Sequence, residues 1–136
     1  MFFKKKSKNK DTELIKVAAL LFHAAKIDEK YSNEEEKIIQ QTLLMLGAND
    51  QNIRDILNEG KSIEENTNQI LDFTKEIKNM NEQNKIRIVE ALWKIIYSNK
   101  EADMYETNLM RRLAGLLYID NRTMGNIKDK IKKENS

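Results

Sequence analysis

Residues 91–119 read ALWKIIYSNKEADMYETNLMRRLAGLLYI, and the fold turns on how the polar middle of this stretch is taken. Apolar side chains recur at helical spacing on both sides of it: Val89, Leu92, Trp93 and Ile96 before, then Leu109, Met110, Leu113, Leu116 and Leu117 after. Between them lies SNKEADMYET at 98–107, in which Asp103 and Glu106 have the spacing of a capping box that opens a helix. Residues 27–36, IDEKYSNEEE, carry the same punctuation 71 positions earlier, with Ser32 and Glu35 in the two capping places.

Sliding the chain against itself by 71 residues sets Ile15 on Ile86, Leu21 on Leu92, Phe22 on Trp93, Ile38 on Leu109 and Leu46 on Leu117. Ile53 falls on Met124 and Ile56 on Ile127, without a gap. In the loop, Asp28 meets Asn99, Ser32 meets Asp103 and Glu35 meets Glu106, so oxygen-bearing side chains coincide three times. The pattern predicts a duplicated unit of helix, acidic loop and helix, over about 15–57 and 86–128.

The rest of the chain extends this into seven helices. With no Pro and only four Gly, caps and polar clusters are the only punctuation. A first helix is expected from about Glu13 to Ile27 and a second from Ser32 to Gly47, the latter a C′ glycine. Asp50 is expected to cap a third helix carrying Ile53, Ile56 and Leu57, and Ser62 a fourth carrying Ile70, Phe73 and Ile77. Asn81, Asp103 and Asn121 open the fifth, sixth and seventh. The expected fold class is an all-α bundle, with residues 1–10 as a basic flexible tail and 11–136 as a single domain.

Composition excludes several function classes. The chain of 136 residues has no cysteine, which removes disulfides, thiolate metal sites and thiol chemistry. Its longest greasy run, VAALLF at 17–22, is far shorter than the roughly 18–20 residues of a membrane span, and a soluble, unsecreted chain is expected. The net charge of +2 includes five lysines among the first ten residues, which leaves residues 11–136 at −3. A mildly acidic fold behind a basic tail argues against a nucleic-acid-binding domain.

AALLFHAAKIDEKYSNEEEKII at 18–39 and the stretch at 91–119 resemble the TerB-like family, named from a bacterial tellurite-resistance protein. The first is similar to that family's Ala-rich helix, Asp, then Ser and Glu opening the next helix. The second is similar to its aromatic-containing helix, acidic loop, Tyr-Glu pair and Arg-Arg before a leucine-rich helix. The resemblance implies a compact seven-helix fold, a bacterial cytoplasmic setting and acidic loops that bind a divalent cation, Ca²⁺ or Mg²⁺. The matching positions are Asp28, Glu35, Glu101, Asp103 and Glu106. The chain departs from the family pattern at Asn99, where Asp is favoured, and at Lys100, where Gly is favoured.

Three readings of these acids stand side by side. As capping boxes, Ser32 with Glu35 and Asp103 with Glu106 need no ligand. Asp28 and Glu101 are left over by that account, and a hard cation would use them as further oxygen ligands. Neither loop is an EF-hand, because Asn33 and Ile39 stand where that motif needs Gly and Glu, so any cation is held weakly. Contact with a basic partner is the third reading.

His23, the only histidine, is expected to be partly buried and hydrogen-bonded, not catalytic, and no nucleophile motif surrounds Ser32, Ser62 or Ser98. Trp93, Leu113, Leu116, Leu117 and Tyr118 are expected in the core, and Arg111 and Arg112 on a solvated face or paired with acids or phosphate. Phe2 and Phe3 followed by Lys4, Lys5 and Lys6 have the chemistry for weak, reversible contact with an anionic membrane surface at the inner face, set against a plain basic tail. The expected function is a non-enzymatic binding or scaffold module with a protein partner, in metal or envelope stress. A metal-dependent hydrolase built on the carboxylates is the alternative.

Overall fold

The computed structural model describes the backbone of residues 2–26, 33–67, 69–98 and 104–134, and the side chains of 11–26, 33–67, 69–98 and 108–134. The chain forms α1 (Phe2–Lys26), α2 (Asn33–Met45), α3 (Ile53–Asn66), α4 (Leu71–Ile77), α5 (Glu82–Tyr97), α6 (Met104–Leu116) and α7 (Asn121–Glu134), with no strand among the described residues.

The middle helix of the bundle is α1. Every residue of VAALLF, from Val17 to Phe22, is buried, as befits a helix apolar on all sides. It packs against α2, α3, α4 and α5, while α7 lies on α5 and α6 touches α4. Leu20, Leu21, Ile39, Leu43, Ile56, Phe73, Ile77, Ile88, Leu92 and Ile96 are fully buried around it.

Small residues set the closest approach. Gly60 of α3 lies against Ala18 and Ala19 of α1; a Cβ there would stand 2.6 Å from the Ala18 Cβ and 3.2 Å from the Ile15 carbonyl oxygen. Only glycine lets the two helices meet at this distance. Just beyond that contact the structure departs from expectation, since α3 runs straight through Ser62 and α4 starts only at Leu71. Ser62 is an interior helix residue whose carbonyl accepts from Asn66 Nδ2 at 2.8 Å.

The ends of α2 and α6 are built alike. After α2, Gly47 has φ 123°, Ala48 N donates to Leu43 O at 3.0 Å and Gly47 N to Leu44 O at 3.2 Å. After α6, Tyr118 has φ 58°, Ile119 N donates to Ala114 O at 2.9 Å and Tyr118 N to Gly115 O at 3.4 Å. Both are Schellman caps, which satisfy the last carbonyls through a left-handed residue. Asn49 Oδ1 then accepts from Asn52 N at 3.0 Å, and Asp120 Oδ1 from Thr123 N at 2.6 Å. All of these pairs, and the starts and ends of α2 and α6, are 71 residues apart.

Two caps and one core residue correct the reading of the sequence, and a third cap bears it out. Asn49 caps the turn into α3 in place of Asp50, because its side chain also reaches Gln51 N at 2.9 Å while Asn52 Oδ1 returns to Asn49 N at 2.7 Å. Asp120 caps α7 in place of Asn121, which is already helical. Asn81 does cap α5, accepting from Asn84 N at 2.8 Å. Tyr118 is 70% exposed, not core, since its left-handed backbone turns the side chain out at the corner. Furthermore, α1 begins at Phe2 and not near Glu13, so residues 2–10 continue the helix: they contain no Gly or Pro, and lysine tolerates helix well.

Candidate functional site

The acidic stretches sit where α1 meets α2 and α5 meets α6. Asp28, Ser32, Glu101 and Asp103 lie outside the described residues. Glu106 is in the first turn of α6 with its side chain likewise outside them. Glu35, in the first turn of α2, is described, wholly buried and not without a partner. Solvated capping carboxylates do not bury this completely, and burial of a charge is costly unless it is held by partners. Among the described residues no group of three His, Asp or Glu has metal-holding geometry.

Just before the first acidic stretch, α1 presents His23 and Lys26 to α3. Glu64, with a side chain only 6% exposed, has Oε1 3.6 Å from His23 Nδ1 and Oε2 3.4 Å from Lys26 Nζ. The histidine contact is longer than a hydrogen bond and becomes an ion pair once the imidazole is protonated. His23 is half-buried, with its ring 6.4 Å from that of Phe73 and tilted by 57°. Phe22, Lys26, Lys61 and Glu64 also border a cavity of about 180 Å³. The buried carboxylate of Glu64 thus fastens α1 to α3 through Lys26, with the lone histidine beside it.

Another polar hollow, about 320 Å³, lies between α1 and α3 and is bordered by Asp11, Asp55 and Glu59. Asp11 Oδ1 there accepts from Asn52 Nδ2 at 3.3 Å. Charge is unevenly divided across the fold: α3 holds four acids against two bases, and α7 five bases against two acids.

The basic side contains the third cavity, of about 150 Å³, where α5, α6 and α7 meet. Trp93 is buried as expected and stacks on Tyr97 at 5.8 Å, but it also forms a wall of this cavity. Lys128 Nζ stands 5.3 Å from the centre of the Trp93 ring, within cation–π range. Arg111, read as a solvated residue, is exposed and borders the same cavity, while Arg112 is exposed beside it. Nearby, Lys85 is buried and donates to Leu117 O at 2.9 Å, which supplies a cation to the C-terminal end of α6. Sequence reasoning missed the cavity; its one signal was Gly125 in the middle of a helical pattern.

No helix of the described residues is long and apolar enough to cross a membrane. The family model for tellurite resistance protein TerB matches residues 14–129. Neither a curated protein nor a solved structure matches the chain.

Proposed function

The chain belongs to the TerB family, a tellurite-resistance-related module, and we propose that it works by binding and not by catalysis. In this reading it is a scaffold for a protein partner in the response to metal or envelope stress, acting in the cytoplasm. The observation that carries the reading is the cavity at α5, α6 and α7, where Arg111 and Lys128 face an aromatic wall on the basic side of a charge-divided fold. The buried Glu64 and Lys85 and their partners are used differently. His23, Glu64 and Lys26 join α1 to α3, and Lys85 closes the end of α6, so their chemistry is spent on holding helices together.

The acidic loops add a weak contact with Ca²⁺ or Mg²⁺ through Asp28, Glu35, Glu101, Asp103 and Glu106. Carboxylate oxygens suit such hard cations, and the complete burial of Glu35 supports a role beyond surface capping. Phe2, Phe3, Lys4, Lys5 and Lys6, in the first turns of α1, add reversible contact with an anionic membrane surface.

Turnover assays test the reading against the hydrolase alternative. The purified chain is expected to leave phosphoester, ester and peptide substrates untouched with or without Mg²⁺ or Ca²⁺. Metal-dependent hydrolysis that disappears in Glu35→Gln or Glu106→Gln would overturn it.

A further inference from the structure

We propose that the cavity between α5, α6 and α7 receives an acidic side chain of a protein partner, its carboxylate meeting Arg111 and Lys128 and its apolar stem lying against Trp93, Met110 and Met124. The inference rests on the binding-module reading and names what one of its surfaces binds.

Charge points to the occupant. Among the described residues neither Arg111 nor Lys128 has an ion pair, whereas neighbouring Lys130 is satisfied by Glu90 Oε2 at 3.1 Å. Two cations that border one cavity without a counter-charge among the described residues leave it electropositive, and an incoming carboxylate supplies the missing charge. Lys128 is already held over the Trp93 ring, so one of the two cations is positioned before the partner arrives. Trp93 contributes a second unsatisfied feature: its buried indole N–H has no acceptor among the described residues.

Size points to a side chain. A volume of 150 Å³ is well below the roughly 300–1,000 Å³ of cavities that take free cofactors or drug-sized ligands. Gly125 fits the same picture. It lies inside α7, where alanine would favour the helix, and a Cβ there would meet nothing within 4 Å. No packing in the free protein requires glycine at this place, yet any side chain would enter the space along the cavity wall.

The test uses the full ¹⁵N-labelled chain, with the emission and indole resonance of its single tryptophan as reporters. The probes are the capped peptide Ala-Leu-Glu-Leu-Ala, its Gln counterpart, hexanoate, and vesicles of phosphatidylglycerol. The Glu peptide is expected to give a saturable change at Trp93, with the Gln peptide about tenfold weaker because the charge is lost. Lys128→Gln and Arg111→Gln should each weaken binding several-fold. Gly125→Leu should abolish it with no fall in melting temperature, which separates blocking from unfolding.

The proposal is overturned if no saturable change occurs, if the Gln peptide binds equally, or if Gly125→Leu binds like the unaltered chain. Hexanoate binding as tightly as the peptide would make this a small-carboxylate site, and vesicles that shift the Trp93 indole resonance and displace the peptide a membrane site; either result sinks the partner assignment. Because the probes are defined, failure here is distinct from failure of the binding-module reading, which the turnover assays decide.

Discussion

Replacing Gly60 with alanine probes the tightest contact in the bundle. The added methyl would sit 2.6 Å from the Ala18 Cβ, with the Ala19 nitrogen and the Ile15 carbonyl oxygen both at 3.2 Å. Two of these three atoms are backbone, so no side-chain rotation gives relief and α1 and α3 must separate. Overpacking of this kind costs about 1–3 kcal/mol, whereas alanine for glycine within a helix returns about 1 kcal/mol. The net effect is therefore a loss of about 0–2 kcal/mol, or a fall of up to roughly 8 °C in melting temperature for a chain of this size. Gly115→Ala and Gly125→Ala are the controls, because a Cβ at either position meets nothing within 4 Å. Each should stabilise by about 0.5–1 kcal/mol. Thermal and urea denaturation of the three variants make the comparison. If Gly60→Ala rises in melting temperature as much as the controls do, the inferred α1–α3 contact is wrong.

Acid should expose the cap of α7. Thr123, through its backbone N–H, holds the Asp120 carboxyl below its usual range, so its contribution to stability is present above the unfolded value and is lost as pH falls through the lowered one. The melting difference between the unaltered chain and Asp120→Ala should accordingly be present at neutral pH and close well below about pH 4. A divalent ion at a hundred times its dissociation constant should raise stability by about 2.7 kcal/mol if the acidic loops hold it; the rise should vanish in an Asp28→Asn, Glu106→Gln double variant. No rise beyond a salt control leaves these acids as caps, in which case Asp103→Ala still costs about 1 kcal/mol. Co-sedimentation with phosphatidylglycerol vesicles should fall when Phe2 and Phe3 become Ser, and undiminished binding would remove the N-terminal turns from the interface.

Much of the fold was legible because helix ends are written locally. Gly47 ends α2, Asn81 opens α5, and the 71-residue spacing recurs in the boundaries and turns of α2 and α6. The misplacements have a tertiary origin. Ser62 reads as a helix-opening cap, yet it lies inside α3, two residues after the Gly60 that packs against α1. Asn49 and Asp50 are equally good caps on paper, and only the reciprocal bonds between Asn49 and Asn52 distinguish them. Tyr118 lies on an apolar stripe, but the left-handed turn it occupies is invisible to helical spacing.

The candidate site was less legible, since Arg111 and Lys128 are ordinary surface cations until α6 and α7 bring them beside Trp93. Of the acids singled out in the sequence, the described side chain, Glu35, is buried to a degree that neither composition nor capping geometry foretells.

Affinity purification of the tagged chain from its native cell, in chelator and in millimolar Mg²⁺ or Ca²⁺, tests the binding-module account most directly. The account predicts one protein retained at near-equal stoichiometry in chelator and depleted when Arg111 and Lys128 are both changed to Glu. Nothing retained in either buffer would contradict it.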